Sequence, residues 1–179
     1  MTFVEQLVFE WLDYRGYITR CNIRVGRLKK GGYSGEIDIA AYHPTTRHCI
    51  HVECHTDAGS WKQREAALKK KFDRGARYIF KEVFPWLQIP GGPELEQWAV
   101  VVTAGKDRKT VAGRRVVSLR QVYRNITRDI VDLMVRGNRM VPEKYPLLRA
   151  VQGMVQHVLD SKKNIEALAN EDLLPRLTE

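Results

Sequence analysis

Apolar residues along this chain fall into two rhythms. Phe3, Val4, Leu7, Val8, Trp11 and Leu12 recur at helical spacing, which predicts an amphipathic helix over residues 3 to 14. Thr2 precedes this run and Glu5 stands three residues on, the pairing of a capping box. Gly16 ends the run. From Tyr17 to Val25 the β-formers Tyr, Ile, Thr and Val take over, and the segment reads as a strand. The basic, glycine-rich turn "GRLKKGGYSG" leads to a second strand, Glu36 to Tyr42. "HPTTR" then leads to a third, His48 to His55. Connections this short predict hairpins. Trp61, Leu68, Phe72, Ile79 and Val83 next mark one face of a long helix whose other faces are crowded with Lys and Arg. Past a loop broken by Pro85, Pro90 and Pro93, "QWAVVVT" (Gln97 to Thr103) is a continuous apolar run, as expected of a strand covered on both faces. A basic loop, "AGKDRKTVAGRR", precedes a short strand from Val116 to Leu119. One helix follows to about Val135 and another from Pro142 to Asp160, and the polar remainder reads as a frayed helical tail.

The order α-β-β-β-α-β, then β-α and further helices, predicts an α/β domain around one mixed sheet. A length of 179 residues, 44% of them apolar, fits one domain with a small appendage. The expected division is a core over residues 1–135 and a helical extension over 136–179.

Charge narrows the class of partner. The formal net charge is +9, which points to an anionic partner, nucleic acid first. The three cysteines, Cys21, Cys49 and Cys54, are odd in number and lack C-x-x-C spacing. A reduced, intracellular and cytoplasmic protein is the simpler reading. No run of 18 apolar residues and no signal-like N-terminus is present, so no membrane partner is expected.

The chemistry concentrates in "SGEIDIAAYHPTTRHCIHVECH", Ser34 to His55. Strand side chains alternate faces. Glu36 and Asp38 therefore share one face, and Cys49, His51, Glu53 and His55 share one face of the next strand. On neighbouring strands, Asp38 and Glu53 converge. Two acidic oxygens with waters and a substrate phosphate are the usual way to hold Mg²⁺. Such an ion polarises the phosphate and activates a water. Zinc is a poor reading of "HCIHVECH", because same-face residues on a strand lie about 7 Å apart and cannot wrap a tetrahedral ion unaided. Alternation turns Cys54 away from Glu53, so it reads as a packing residue. Trp61 and Phe72 lie on the helix stripe and read as core.

"GEIDIA" followed by "HVECH" resembles the PD-(D/E)XK nuclease superfamily, especially its small endonuclease-like and resolvase-like members. The likeness runs from about Phe3 to Val135, mostly as an order of elements. It implies a restriction-endonuclease-like fold: a three-layer α/β core with a central mixed sheet flanked by helices, to which this chain adds C-terminal helices. It also implies a Mg²⁺-dependent DNA endonuclease, with Mn²⁺ as substitute, acting on double-stranded or branched DNA, and it allows a homodimer. Asp38 and Glu53 match the family's metal-binding carboxylates. Glu5 stands where many members place an accessory acid. His55 occupies the position of the family lysine. Three readings of that departure stay open: His55 assists the attacking water, the following helix supplies the cation from Lys62 or Lys69, or the domain binds without cutting. A structural subunit of a nuclease assembly is a weaker alternative. The residues expected to meet phosphates are Arg27, Lys29, Lys30, Lys62, Lys69, Lys70, Arg114 and Arg115.

Overall fold

The computed structural model describes residues 1–55, 60–89, 91–102, 109–137 and 140–162. Helix α1 spans Phe3–Tyr14 and its capping box is formed: Thr2 accepts from the Glu5 N–H while the Glu5 carboxylate accepts from the Thr2 N–H. Strands β1 (Ile18–Arg27), β2 (Tyr33–His43) and β3 (His48–His55) follow as antiparallel neighbours. Helix α2 (Trp61–Tyr78) crosses back, so that β4 (Leu95–Val101) lies parallel to β3. Strands β5 (Thr110–Val111) and β6 (Arg114–Ser118) form a hairpin whose second strand runs parallel to β4. The described sheet is therefore mixed, in the order β1-β2-β3-β4-β6-β5, with helices packed on it, as the α/β reading expects.

Two details depart from the sequence rhythm. The long helix expected to reach Val83 is α-helical only to Tyr78 and continues as a π-turn over Ile79–Val83. Its i→i+5 bond, from the Phe84 N–H to the Ile79 carbonyl at 2.8 Å, brings Ile79, Val83 and Phe84 together into one buried cluster with Val25, Ile37 and Cys49. In the segment expected to be a basic loop, Ala112 and Gly113 both take positive φ, 48° and 71°. This matches the right-handed twist of the strands they join, and so makes the β5–β6 hairpin.

The chain divides into two compact units, Met1–Leu119 and Arg120–Glu179. The boundary expected at 135 falls inside α3, which spans Leu119–Gly137. In the second unit α3 buries Val122, Ile126 and Ile130 at helical spacing, and α4 (Pro146–Lys162) buries Leu148, Val151 and Gln152. The Gln152 side chain accepts from the Val141 N–H at 2.8 Å. The expected polar tail, residues 163–179, and the basic residues Lys106 and Arg108 lie outside the described residues. Among the described residues no helix is long and apolar enough to cross a membrane.

Candidate active site

Register brings the two carboxylates together. Ile39 pairs with Val52 across β2 and β3, and one step on Asp38 meets Glu53. There the Asp38 side chain takes over from the backbone: its Oδ2 accepts from the Cys54 N–H at 2.9 Å. Both acids are buried, Glu53 completely. Glu36 stays exposed and contributes only its carbonyl, which accepts from Arg74 at 3.0 Å.

The cation beside this pair comes from α2. Lys71 Nζ lies 2.9 Å from each Asp38 oxygen and 2.7 Å from Glu53 Oε2. The helix can deliver it for three reasons. Ser60 and Gln63 form a capping box that sets where α2 starts. Leu68, Phe72 and Gly75 form its buried face, and Lys71, three residues after Leu68 and four before Gly75, points the same way. Finally, Gly75 has no side chain to hold the helix off the sheet: a Cβ there would clash with the His51 ring.

Glu53 is held from the other side by a buried chain of hydrogen bonds. The Gln97 amide nitrogen lies 2.9 Å from the Phe72 carbonyl and 2.9 Å from His51 Nδ1. A carbonyl only accepts, so that amide nitrogen is a donor, and His51 Nδ1 must accept from it. His51 is therefore neutral and carries its proton on Nε2, which donates to Glu53 Oε1 at 2.7 Å. Gln97 is delivered by strand register, directly beside His51 on β4.

The electrostatics follow from this arrangement. Burial, with Glu53 beside it, pushes Asp38 up to about 7, against the opposing pull of Lys71. Burial would raise Glu53 as well, but the bond from His51 and the charge of Lys71 outweigh it and hold Glu53 below its usual range. Burial works against the Lys71 charge, yet the two carboxylates raise its pKa. Of the two carboxylates, Asp38 is thus the one pushed toward its neutral form and Glu53 the one held toward its charged form.

The other expected residues lie as follows. His55 is half-buried at the end of β3, on the Glu53 side of the strand. Glu5 caps α1, and among the described residues no group of three or more His, Cys, Asp or Glu side chains gathers as a metal cluster. Lys62, Lys69 and Lys70 are exposed on α2, and Lys69 pairs with Asp73 at 2.8 Å. Arg27, Lys29 and Lys30 are exposed at the turn between β1 and β2. Arg114 and Arg115 are exposed on β6, where Arg115 lies over the Trp98 ring and 3.4 Å from Glu96. Phe72 is core, whereas Trp61 is only partly buried, with the Arg64 guanidinium over its ring. Sequence reasoning did not single out Lys71, His51 or Gln97 as site residues. For Lys71 the helix phase with Leu68 and Gly75 was an available signal.

No protein-family model, curated protein or solved structure matches this chain.

Proposed function

We propose that this protein is a divalent-metal-dependent DNA endonuclease of restriction-endonuclease-like type, with Asp38, Glu53 and Lys71 at its centre. The observation that carries the reading is the convergence of one ammonium and three carboxylate oxygens within 2.9 Å, contributed by β2, β3 and α2. The motif position for lysine holds His55, and Lys71 supplies the cation from the helix instead.

The residues fit Mg²⁺. Mg²⁺ is commonly held by one or two carboxylates, with waters and substrate phosphates completing its shell. Asp38 and Glu53 are such a pair, and the Lys71 ammonium already marks the point where their oxygens meet. When bound, the metal would polarise the scissile phosphate and activate a water. The chain's own residues do the rest. Glu53 and Asp38 present oxygens at fixed positions, pinned by His51 and by the Cys54 N–H. Lys71, released from the carboxylates, offers a positive charge to the phosphate oxygens as negative charge builds on them. Exposed Arg and Lys on α2, β6 and the β1–β2 turn supply sequence-independent attraction to the DNA backbone.

A second reading is a DNA-binding domain of the same fold that does not cut. It is favoured by one observation: Lys71 compensates both carboxylates internally, which is how a disabled site would keep its buried acids paired. Plasmid nicking in Mg²⁺ or Mn²⁺ separates the two. The nuclease reading expects nicking by wild type that Asp38→Asn and Lys71→Met abolish. DNA binding with no cleavage of supercoiled, linear, single-stranded or branched DNA would replace it with the second reading.

A further inference from the structure

We propose that His51 and Gln97 are positioning residues for Glu53: His51 engages its Oε1 and Gln97 orients His51, so that Oε2 is the oxygen offered to the cation beside Asp38. The inference rests on reading Asp38 and Glu53 as a cation site, and it adds two residues that the motif does not contain.

Glu53 is completely buried, so neither of its oxygens can turn to bulk water for a partner. A buried carboxylate free to rotate would share both oxygens between His51 and the cation. The chain of bonds removes that freedom. The Phe72 carbonyl orients the Gln97 amide, the amide orients His51 by occupying Nδ1, and His51 Nε2–H then binds one Glu53 oxygen. Every donor along this path meets an acceptor. Packing locks the ring as well: Phe72 meets it edge-on, with centroids 5.8 Å apart, and Gly75 leaves it no spare room. Fixing the orientation of a ligand in advance is what partners behind a metal ligand do, and losing one typically costs 10- to 100-fold in metal affinity or activity.

The chain also explains why position 97 is Gln. A carboxylate there could not donate to the Phe72 carbonyl. It would accept from His51 Nδ1–H and so reverse the direction of the chain. With only Nδ1 protonated, Nε2 would present a lone pair to Glu53. With both nitrogens protonated, His51 would bring a second positive charge into the buried cluster.

The test uses the full chain labelled with ¹⁵N-histidine, together with calorimetric titration of Mn²⁺ alone. The wild-type imidazole correlation spectrum, with His51→Gln supplying the assignment, should show His51 protonated on Nε2 and unprotonated on Nδ1 at neutral pH. Protonation on Nδ1 overturns the proposal. His51→Leu, which keeps bulk but has no donor, should weaken Mn²⁺ binding by about 10- to 100-fold. His51→Gln, whose amide can still donate to Glu53, should recover most of that loss. Unchanged Mn²⁺ affinity in folded His51→Leu overturns the proposal while leaving the cation site standing. Should His51→Leu not fold, Gln97→Met decides. Without a donor at Nδ1, His51 is no longer held as the Nε2–H tautomer, so Mn²⁺ binding should weaken, and unchanged affinity overturns the proposal. A wild-type protein with the expected tautomer that binds no Mn²⁺ removes the cation site itself, and with it the role given to His51 and Gln97.

Discussion

Two histidine–carboxylate pairs flank β3, and they differ in almost everything except bond length. At one end His51 meets Glu53 at 2.7 Å, and at the other His48 meets Glu96 at 2.8 Å. Each imidazole has its second nitrogen engaged, His51 by Gln97 and His48 by the Tyr17 hydroxyl at 2.7 Å. The first pair is wholly buried, while His48 and Glu96 are each about a third exposed (32% and 38%). The Gln97 amide nitrogen that faces His51 can only donate, so His51 has one permitted tautomer. The Tyr17 hydroxyl can donate or accept, so it leaves the His48 tautomer open. Glu96 also takes hydrogen bonds from Trp98 and Arg115, and water can replace any of them. Glu53 has no such reserve. Bond length therefore says little about what a pair does. Burial, and the second carboxylate next door, make the inner pair a candidate site and leave the outer one a surface network.

The largest expected effect tests whether the inner cluster is a working unit. Lys71→Met should reduce Mg²⁺-dependent nicking by at least about 100-fold, whereas Lys69→Met, two residues away on the exposed face, should leave it near wild type. The same Lys71→Met change leaves buried carboxylates without their cation, so urea unfolding should show a loss of about 3 kcal/mol. The double variant Asp38→Asn/Lys71→Met should regain part of that loss, because the stranded charge goes with its partner. Nicking retained in Lys71→Met but lost in His55→Ala would return the auxiliary role to His55.

The two histidines should then separate in stability. His51→Leu strands a buried acceptor and should cost about 2 kcal/mol, while His48→Leu breaks a solvated pair and should cost less than about 1 kcal/mol. Equal losses in urea unfolding would erase the distinction drawn between the pairs.

A pH series sharpens the picture from the side of Asp38. Its pKa is raised to about 7 in the fold from a usual 3.8, so between those values the folded protein holds more protons than the unfolded chain. Stability from this residue is present below pH about 4 and is lost as pH rises through about 7. Wild-type Tm should therefore fall from pH 5 to pH 8 relative to Asp38→Asn. Saturating Mn²⁺, which favours the ionised carboxylate, should flatten the difference. Glu53, held below its usual range, acts in the opposite sense and only in acid. A pH profile of Asp38→Asn identical to wild type would argue against a raised Asp38.

The smallest effect lies at the surface. Arg114→Ala and Arg115→Ala should each weaken DNA binding a few-fold for all sequences alike. Each should also reduce the slope of log affinity against log salt by about 1 if it contacts a phosphate. A slope that does not change would place the DNA elsewhere.

Hydrophobic rhythm alone determined much of this protein. The capped first helix, the three hairpin-connected strands, the long basic helix and the apolar fourth strand all follow from period and turn chemistry, which are local properties. Alternation along two strands was also enough to put Asp38 and Glu53 forward as a pair. What period cannot carry is the distance between a helix and a sheet. The sequence offered Lys62 or Lys69 as the helix cation, whereas Lys71 is the one that reaches the carboxylates, because that choice depended on how closely α2 approaches β3. That approach is decided by a missing Cβ at Gly75 against a buried ring at His51. The tautomer of His51 was likewise invisible, because the residue that decides it, Gln97, is 46 positions away. Parallel pairing of β3 with β4 brings Gln97 beside it. Local pattern placed the acids in strands, and only packing across three strands and a helix could choose the charges and hydrogen bonds around them.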